Sequence, residues 1–330
     1  MDKKKIYIIA EIGINHDGSI KKALKLIDYA KIAGASAVKF QIFQPESLSR
    51  KNEKTKIKFF KNKKPLTKYE FWSKLRIKDN WLNQIKLRCK KNKIDLGFSI
   101  FDEESLTKIL KINPNFIKIA SSDLTDTYLI NQVIKTKKKI IISTGMSNST
   151  EIKNTLKILK KNKFTLLHCV SLYPTPYNKV NLKRMIKLKK FSKNIGFSDH
   201  SLGTSACLKA IEMGATTLEK HFTLDKNMDG PDHLCSADLR DLKNICEYAR
   251  LRNIIKGTGK INPTYEENLI KKNARKSIWA KKNIKKNEIF KLDNLEKSRP
   301  GLGMDVSNFK KILGKKSSKN YKKGDLILEN

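Results

Sequence analysis

Three of the chain's five histidines fall within one stretch, Gly196 to Asp238, GFSDHSLGTSACLKAIEMGATTLEKHFTLDKNMDGPDHLCSAD. His200 follows the short apolar run Ile195 to Phe197, and His221 follows Thr216 to Leu218. The segment between them, Leu202 to Met213, repeats its apolar residues at helical spacing. Strand, helix, strand makes a βαβ unit whose strands run parallel, so both imidazoles emerge at the same edge of the sheet. Two neutral imidazoles side by side suit a divalent metal. The plain alternative is that each histidine only caps a strand end. Asp199, Glu219 and Asp232 stand close by and favour the first reading.

Carboxylates, lysines and hydroxyls recur at the ends of other apolar runs. The first ends at Glu11, with Asn15 and His16 beyond; the second carries Lys39 and Gln41; the third Ser99 and Asp102; the fourth Lys118, Ser121 and Asp123. Ser143 and Thr144 follow, then His168, Ser171 and Tyr173, then Ser198 with His200, and last Glu219 with His221. A lysine inside an apolar strand is costly unless paired. Lys39 and Lys118 among serines therefore read as a cradle for an anion such as phosphate, since ammonium and hydroxyl groups both donate to its oxygens. A phosphorylated substrate, a divalent metal and a carboxylate for proton transfer together indicate metal-assisted carbonyl chemistry.

These groups need a frame that brings many strand ends together. Strands are predicted over Lys5–Ile12, Ala37–Ile42, Asp95–Ile100, Phe116–Ala120, Ile140–Thr144 and Phe164–Ser171, followed by the two of the histidine stretch. Helices alternate with them: Ser19–Ala35, Asn80–Lys91, Glu103–Ile112, Asp126–Lys135, Thr150–Lys160, Leu182–Lys189 and finally Asp238–Ile255. Eight such repeats over residues 1–256 predict an α/β fold, the (β/α)8 or TIM barrel, with catalytic groups at the carboxyl ends of its strands. An open doubly wound sheet is the competing topology, but no GxGxxG turn follows the first strand. Pro45 to about Lys78 is an irregular basic excursion over the top, with a short helix near Lys68–Lys74. Residues 257–273 read as a linker. Residues 274–330, with the strand-like runs SIWA, EIF and LIL, read as a small β-rich module.

The formal charge of +39 would by itself suggest a nucleic-acid partner. Its lysines are spread along the whole chain with no nucleic-acid-binding motif, so no nucleic acid is expected, and the charge serves at most to draw in anionic substrates. No apolar run reaches 18 residues, and the amino terminus turns polar after a few positions, which predicts a cytoplasmic protein without membrane contact. The five cysteines have no CxxC spacing and read as incidental thiols of a reducing compartment.

The blocks IIAEIGINHDGS, AGASAVKFQIF, FIKIASSD, IISTGMS, LLHCVSLYPTPY, GFSDHSLG and LEKHFTLDKNMDGPDH occur in this order, with RKSIWAKKNIKKNE and SRPGLGM in the tail. Together they resemble the sialic acid synthase family, which condenses phosphoenolpyruvate with an N-acetylated hexosamine, and the tail is similar to its antifreeze-like (SAF) domain. The resemblance implies a homodimer whose SAF domain covers the partner's barrel, and a divalent metal, manganese or magnesium. It makes His200 and His221 the metal ligands and Glu11 the proton-transfer group. Lys39, Ser99, Lys118, Ser121, Ser143 and Ser198 become phosphoenolpyruvate contacts. Gln41, Tyr173 and Asp232 hold the sugar, and Arg299 reaches its N-acetyl group from the partner subunit. Three departures stand out: Asp123 where many members have Glu, Ser171 where some have Asn, and NHDG for the commoner NHNG. The first expectation for the sugar is N-acetylmannosamine, giving N-acetylneuraminate. The rival is a 2,4-diacetamido-trideoxy sugar giving legionaminate, and a pseudaminate synthase stands third. A catalytically dead paralogue would show no metal-dependent turnover.

Overall fold

Most of the eight strands are short, largely apolar runs, which suits a sheet covered by helices on one face and filled by its own side chains on the other. The computed structural model describes residues 5–53, 56–57, 66–159 and 163–328. The middle of the Pro45–Lys78 excursion, Lys160 at the end of its predicted helix and the extreme chain ends lie outside them. The strands are β1 (Tyr7–Gly13), β2 (Ala37–Ile42), β3 (Asp95–Ile100), β4 (Phe116–Ile119), β5 (Lys139–Ser143), β6 (Phe164–Cys169), β7 (Ile195–Asp199) and β8 (Thr217–His221). They pair in parallel, each with its neighbour in sequence, and β8 closes on β1.

The helices fall between the strands as their periodicity predicts. Around the barrel run α1 (Ile20–Ala33), α4 (Trp81–Asn92), α5 (Glu103–Ile112), α6 (Thr127–Lys135), α7 (Ser149–Leu159), α8 (Lys183–Leu188), α9 (Ser205–Glu212) and α10 (Leu239–Lys256). In the excursion stand α2 (Pro45–Leu48) and α3 (Lys68–Leu75), the latter started by a capping box between Thr67 and Glu70. Asp102 lies at the end of a strand, but it caps α5 through Ser105 N–H and accepts from Gln44 N–H at 2.8 Å. It is a structural group.

Inside the barrel, Ile9, Ala37, Phe116, Ile141 and Leu167 form a small apolar floor. The floor leaves no room for more: a Cβ on Gly97 would lie 2.1 Å from the Phe116 ring, and one on Gly196 would lie 2.1 Å from the Thr217 carbonyl oxygen. Two residues further along the same five strands, on the same side of the sheet, the apolar residues give way to Glu11, Lys39, Lys118, Ser143 and Cys169. The floor therefore serves as the insulating base of a polar chamber.

The chain divides into two compact units, Met1–Gly257 and Thr258–Asn330. In the second, β9 (Ser277–Ala280) pairs antiparallel with β10 (Leu295–Ser298) over a core of Ile278, Ile284, Phe290, Leu295, Ile312, Tyr321 and Ile327. Of the expected runs only SIWA is a strand. EIF and LIL contribute single bridges at Ile289 and Leu326. The stretch expected as linker holds a helix, α11 (Tyr265–Ala274), capped by Thr264 with Glu267. Among the described residues no helix is long and apolar enough to cross a membrane.

His16 and His168 belong to the packing. His16 sits edge-on to Trp81 at 5.7 Å, and His168 stacks on Phe197 while bonding the Val180 carbonyl at 2.7 Å. Burial is the main cause that lowers both to about 4. A base whose folded-state pKa is depressed binds fewer protons than the unfolded chain between the two values, so stability is full above about 6.5 and falls as pH drops towards 4. For fully buried His16 the loss is on the order of 3 kcal/mol. Urea unfolding at pH 7 and pH 4.5 should show this acid loss and its reduction in His16→Leu; an equal loss in the variant would reject His16 as a source.

Candidate active site

The polar chamber opens at the carboxyl ends of the strands as a cavity of about 440 Å3. Lys39 and Lys118 rise from β2 and β4 and are 2% and 3% exposed. Lys39 Nζ lies 2.7 Å from Glu11 Oε2 and 3.7 Å from Glu219 Oε2, and it donates to Ser99 Oγ at 2.6 Å. Lys118 is held more loosely, with the Ile119 carbonyl at 3.2 Å and Glu219 Oε1 at 3.9 Å. Glu219 also accepts from Ser198 Oγ at 2.8 Å, and Gln41 Nε2 donates to Glu11 Oε1 at 3.2 Å. Two buried ammonium groups thus face two buried carboxylates, which keeps the chamber near neutrality until a ligand arrives.

The two carboxylates differ in their proton affinity. Burial, with Glu219 adding to it and Lys39 opposing, pushes Glu11 up to about 7. Burial also raises Glu219, but Lys118, Lys39 and the Ser198 hydroxyl outweigh it and hold this carboxylate below its ordinary range. Two acids pushed apart in this way divide their labour, one able to carry a proton and the other a fixed charge. Burial lowers the Lys118 ammonium, against the pull of Glu219. An incoming anion would relieve that cost. Ser143 Oγ is buried without a hydrogen-bond partner, a donor waiting for an acceptor.

Beside the two lysines, the rings of His200 and His221 lie 5.4 Å apart, with the Tyr173 ring tilted against His200 at 4.1 Å. His200 Nδ1 donates to the Val170 carbonyl at 2.8 Å, which turns Nε2 outward. Burial lowers the proton affinity of this ring, but Cys169, that carbonyl and Asp199 outweigh burial and raise it, so a cation on Nε2 would displace a proton. Burial first, then the charges of His200, Lys39, Lys220 and Lys118, drives His221 well below the usual histidine range, so it stands as the neutral imidazole a metal requires. Its Nδ1 lies 3.4 Å from Asp232 Oδ2, within ion-pair reach but without a hydrogen bond, and burial raises Asp232 to about 6. Among the described residues no cluster of three metal-binding side chains exists. The two neighbouring imidazoles suit a divalent ion, which His200 and His221 would hold.

The loop after β8 carries Asp232 and is tied to the end of β1. Asn15 Nδ2 donates to the Phe222 carbonyl at 3.0 Å and to Ser236 Oγ at 2.9 Å, while His233 Nε2 meets Asp17 Oδ1 at 3.0 Å. Asp17, the departure in NHDG, is therefore a partner of His233. Gly145 sits where any side chain would strike Ser171 Oγ at 2.5 Å and Ser121 Oγ at 2.8 Å, and its N–H donates to Ser121 at 3.0 Å. Apolar residues from the excursion and its neighbours, Ile14, Leu48, Phe71, Trp72 and Phe101, complete the lining.

The cavity gathers Glu11, Lys39, Gln41, Ser99, Lys118, Ser121, Ser143, Ser171, Tyr173, Ser198, His200, His221 and Asp232. Arg299 lies exposed on the second unit. Asp123 bonds its neighbour Ser122 at 2.7 Å and Thr144 Oγ1 the Leu167 carbonyl at 3.1 Å; neither lines the cavity. Sequence reasoning set Glu219 at the end of its strand beside the histidines but named it neither catalytic nor substrate-binding; its signal was a carboxylate two positions before a candidate ligand, on the inward side of its strand. The apolar lining was not foreseen either.

A closed (β/α)8 barrel with two buried lysines, two buried carboxylates and two imidazoles gathered at the carboxyl ends of its strands has the layout of a barrel enzyme's active site. The chain matches the NeuB family over residues 26–261 and the SAF domain over residues 275–330. It is 39% identical over 337 residues to the N,N'-diacetyllegionaminic acid synthase of Campylobacter jejuni, covering 99% of this chain and 100% of that one. It is 35% identical to the pseudaminic acid synthase of the same species, covering 98% and 96%. A solved structure of the N-acetylneuraminic acid synthetase of Leptospira borgpetersenii, in complex with citrate, superposes with a TM-score of 0.71 at 31% identity, covering 81% of this chain and 90% of that one. The protein belongs to the NeuB family, the sialic acid synthases and related nonulosonate synthases, and carries their SAF domain.

Proposed function

We propose that the chain condenses phosphoenolpyruvate with the open-chain aldehyde of an N-acetylated sugar, and that the sugar is a 2,4-diacetamido-2,4,6-trideoxy hexose. C3 of phosphoenolpyruvate bonds to the aldehyde carbon, water adds to C2, and phosphate leaves with its bridging oxygen. Lys39, Lys118 and Ser143 hold the anionic groups, with Ser99, Ser121 and Ser198 beside them. Glu11 accepts a proton from the attacking water and returns one as the intermediate collapses. Manganese or magnesium on His200 and His221 would supply Lewis-acid polarisation of the aldehyde oxygen. Gln41, Tyr173, Ser171 and Asp232 form the sugar side. Arg299 takes the N-acetyl group of the sugar in a partner subunit, in a homodimer whose SAF domain covers the partner's barrel.

The apolar lining carries the choice of sugar. N-Acetylmannosamine would set hydroxyls against Leu48, Phe71, Trp72 and Phe101, whereas a methyl at C6 and a second acetamido group suit that wall. The most complete match above, to a diacetyllegionaminic acid synthase, agrees with this. Phosphate release with Mn2+ and phosphoenolpyruvate should be at least about 100-fold faster, by kcat/KM, with the diacetamido sugar than with N-acetylmannosamine. Trp72→Ala should raise the KM for that sugar by about tenfold and leave that for phosphoenolpyruvate unchanged. Equal or better turnover of N-acetylmannosamine would reject the diacetamido reading.

A further inference from the structure

Lys220 is a third buried lysine in the barrel strands, and it faces away from the chamber. It is 1% exposed, and its Cα partner across the ladder is Asp199, also 1% exposed. Lys220 Nζ donates to Asp199 Oδ2 at 2.8 Å and to the Ser201 carbonyl. Asp199 Oδ1 accepts from Ser201 N–H at 2.9 Å and Ser201 Oγ at 2.8 Å, and Oδ2 accepts from Cys207 Sγ of α9 at 3.1 Å. A pair so deeply desolvated is often no better for stability than two packed apolar side chains. What a charged pair does supply is register: apolar neighbours can slide past each other, whereas these two groups are satisfied in one alignment only. A slip of one residue would bring Lys220 to the inner face and take His221 off it.

The next residue along each strand is a candidate ligand, His200 after Asp199 and His221 after Lys220. We propose that the Asp199–Lys220 ion pair is a positioning device for the two imidazoles, fixing the mouths of β7 and β8 so that both rings face one cation. The pair thus acts on the outer side of the wall whose inner side carries the ligands. This rests on the metal reading above, and the test separates the two.

Protein stripped with chelator is titrated with Mn2+, and free Mn2+ is followed by its electron paramagnetic resonance signal. The wild type should bind one ion, and His221→Ala should abolish it; binding that is absent, or indifferent to His221→Ala, overturns the metal reading and the proposal with it. With the metal reading upheld, Asp199→Asn/Lys220→Met, which removes the charges but keeps an acceptor for Ser201, should bind Mn2+ about tenfold or more weakly. Leu242→Ala, a core change in α10, should lower the melting temperature and leave Mn2+ affinity unchanged. Wild-type affinity in the double variant overturns the proposal. Should that variant not fold, Lys220→Gln decides by the same criterion.

Discussion

Changing His221 to Ala is expected to abolish phosphate release, with kcat/KM falling by about 10³-fold or more while the fold persists. Lewis-acid polarisation of a carbonyl is worth several kcal/mol in the transition state, and several kcal/mol is three or more decades of rate. The fold should persist because His221 makes little that a folded chain depends on. Its Nδ1 has no hydrogen-bond partner, and its ring faces the cavity beside His200 and Tyr173. Removing it also removes a buried polar atom without a partner, which offsets part of the packing lost. Chelator should act on the wild type as the substitution does, and added Mn2+ should rescue the wild type alone. A folded His221→Ala variant with full activity would end the metal assignment and leave the imidazoles as strand caps.

The barrel was legible because its signal repeats. Each strand is a short apolar run, each helix an amphipathic segment, and eight alternations leave few topologies. Lys39 and Lys118 were legible for a physical reason, since a charge in an apolar run demands a partner or a ligand. The same reasoning applies to Lys220 in LEKH, where the demand is met by Asp199 on the outer face. Spacing could not tell the two cases apart until the inward side of each strand was known. Glu219 escaped for a different reason: its role depends on Lys39 and Lys118 reaching it from strands 180 and 101 residues earlier, a closure only the barrel creates. The apolar wall depends on how α2 and α3 fold back over the mouth, and a basic, irregular stretch gives no periodicity from which to foresee that. In the second unit LEKS has almost no strand character of its own and is a strand because SIWA pairs with it. Helix α11 could have been found: Thr264 followed by Glu267 is the capping-box spacing.

The sharpest test of the chamber's chemistry is Glu11→Gln combined with a pH profile. As a base, Glu11 works in its ionised form, and in the free enzyme its pKa lies near 7. Wild-type kcat/KM should therefore rise about tenfold per unit as pH increases towards 7 and level off above it. The apparent value belongs to the Glu11–Glu219 pair, because the two share Lys39. Glu11→Gln keeps the shape and the acceptor for Gln41 but cannot take a proton, so kcat should fall by about 10² to 10⁴-fold and the inflection should vanish. Glu219→Gln supplies the sign. Its negative charge is one of the causes that raise Glu11, so neutralising it should move the inflection to lower pH, whatever it does to the maximal rate. An inflection that survives in Glu11→Gln, or one that moves to higher pH in Glu219→Gln, would show that the proton is carried by another group, and Asp232, raised to about 6 beside His221, would be the next to change.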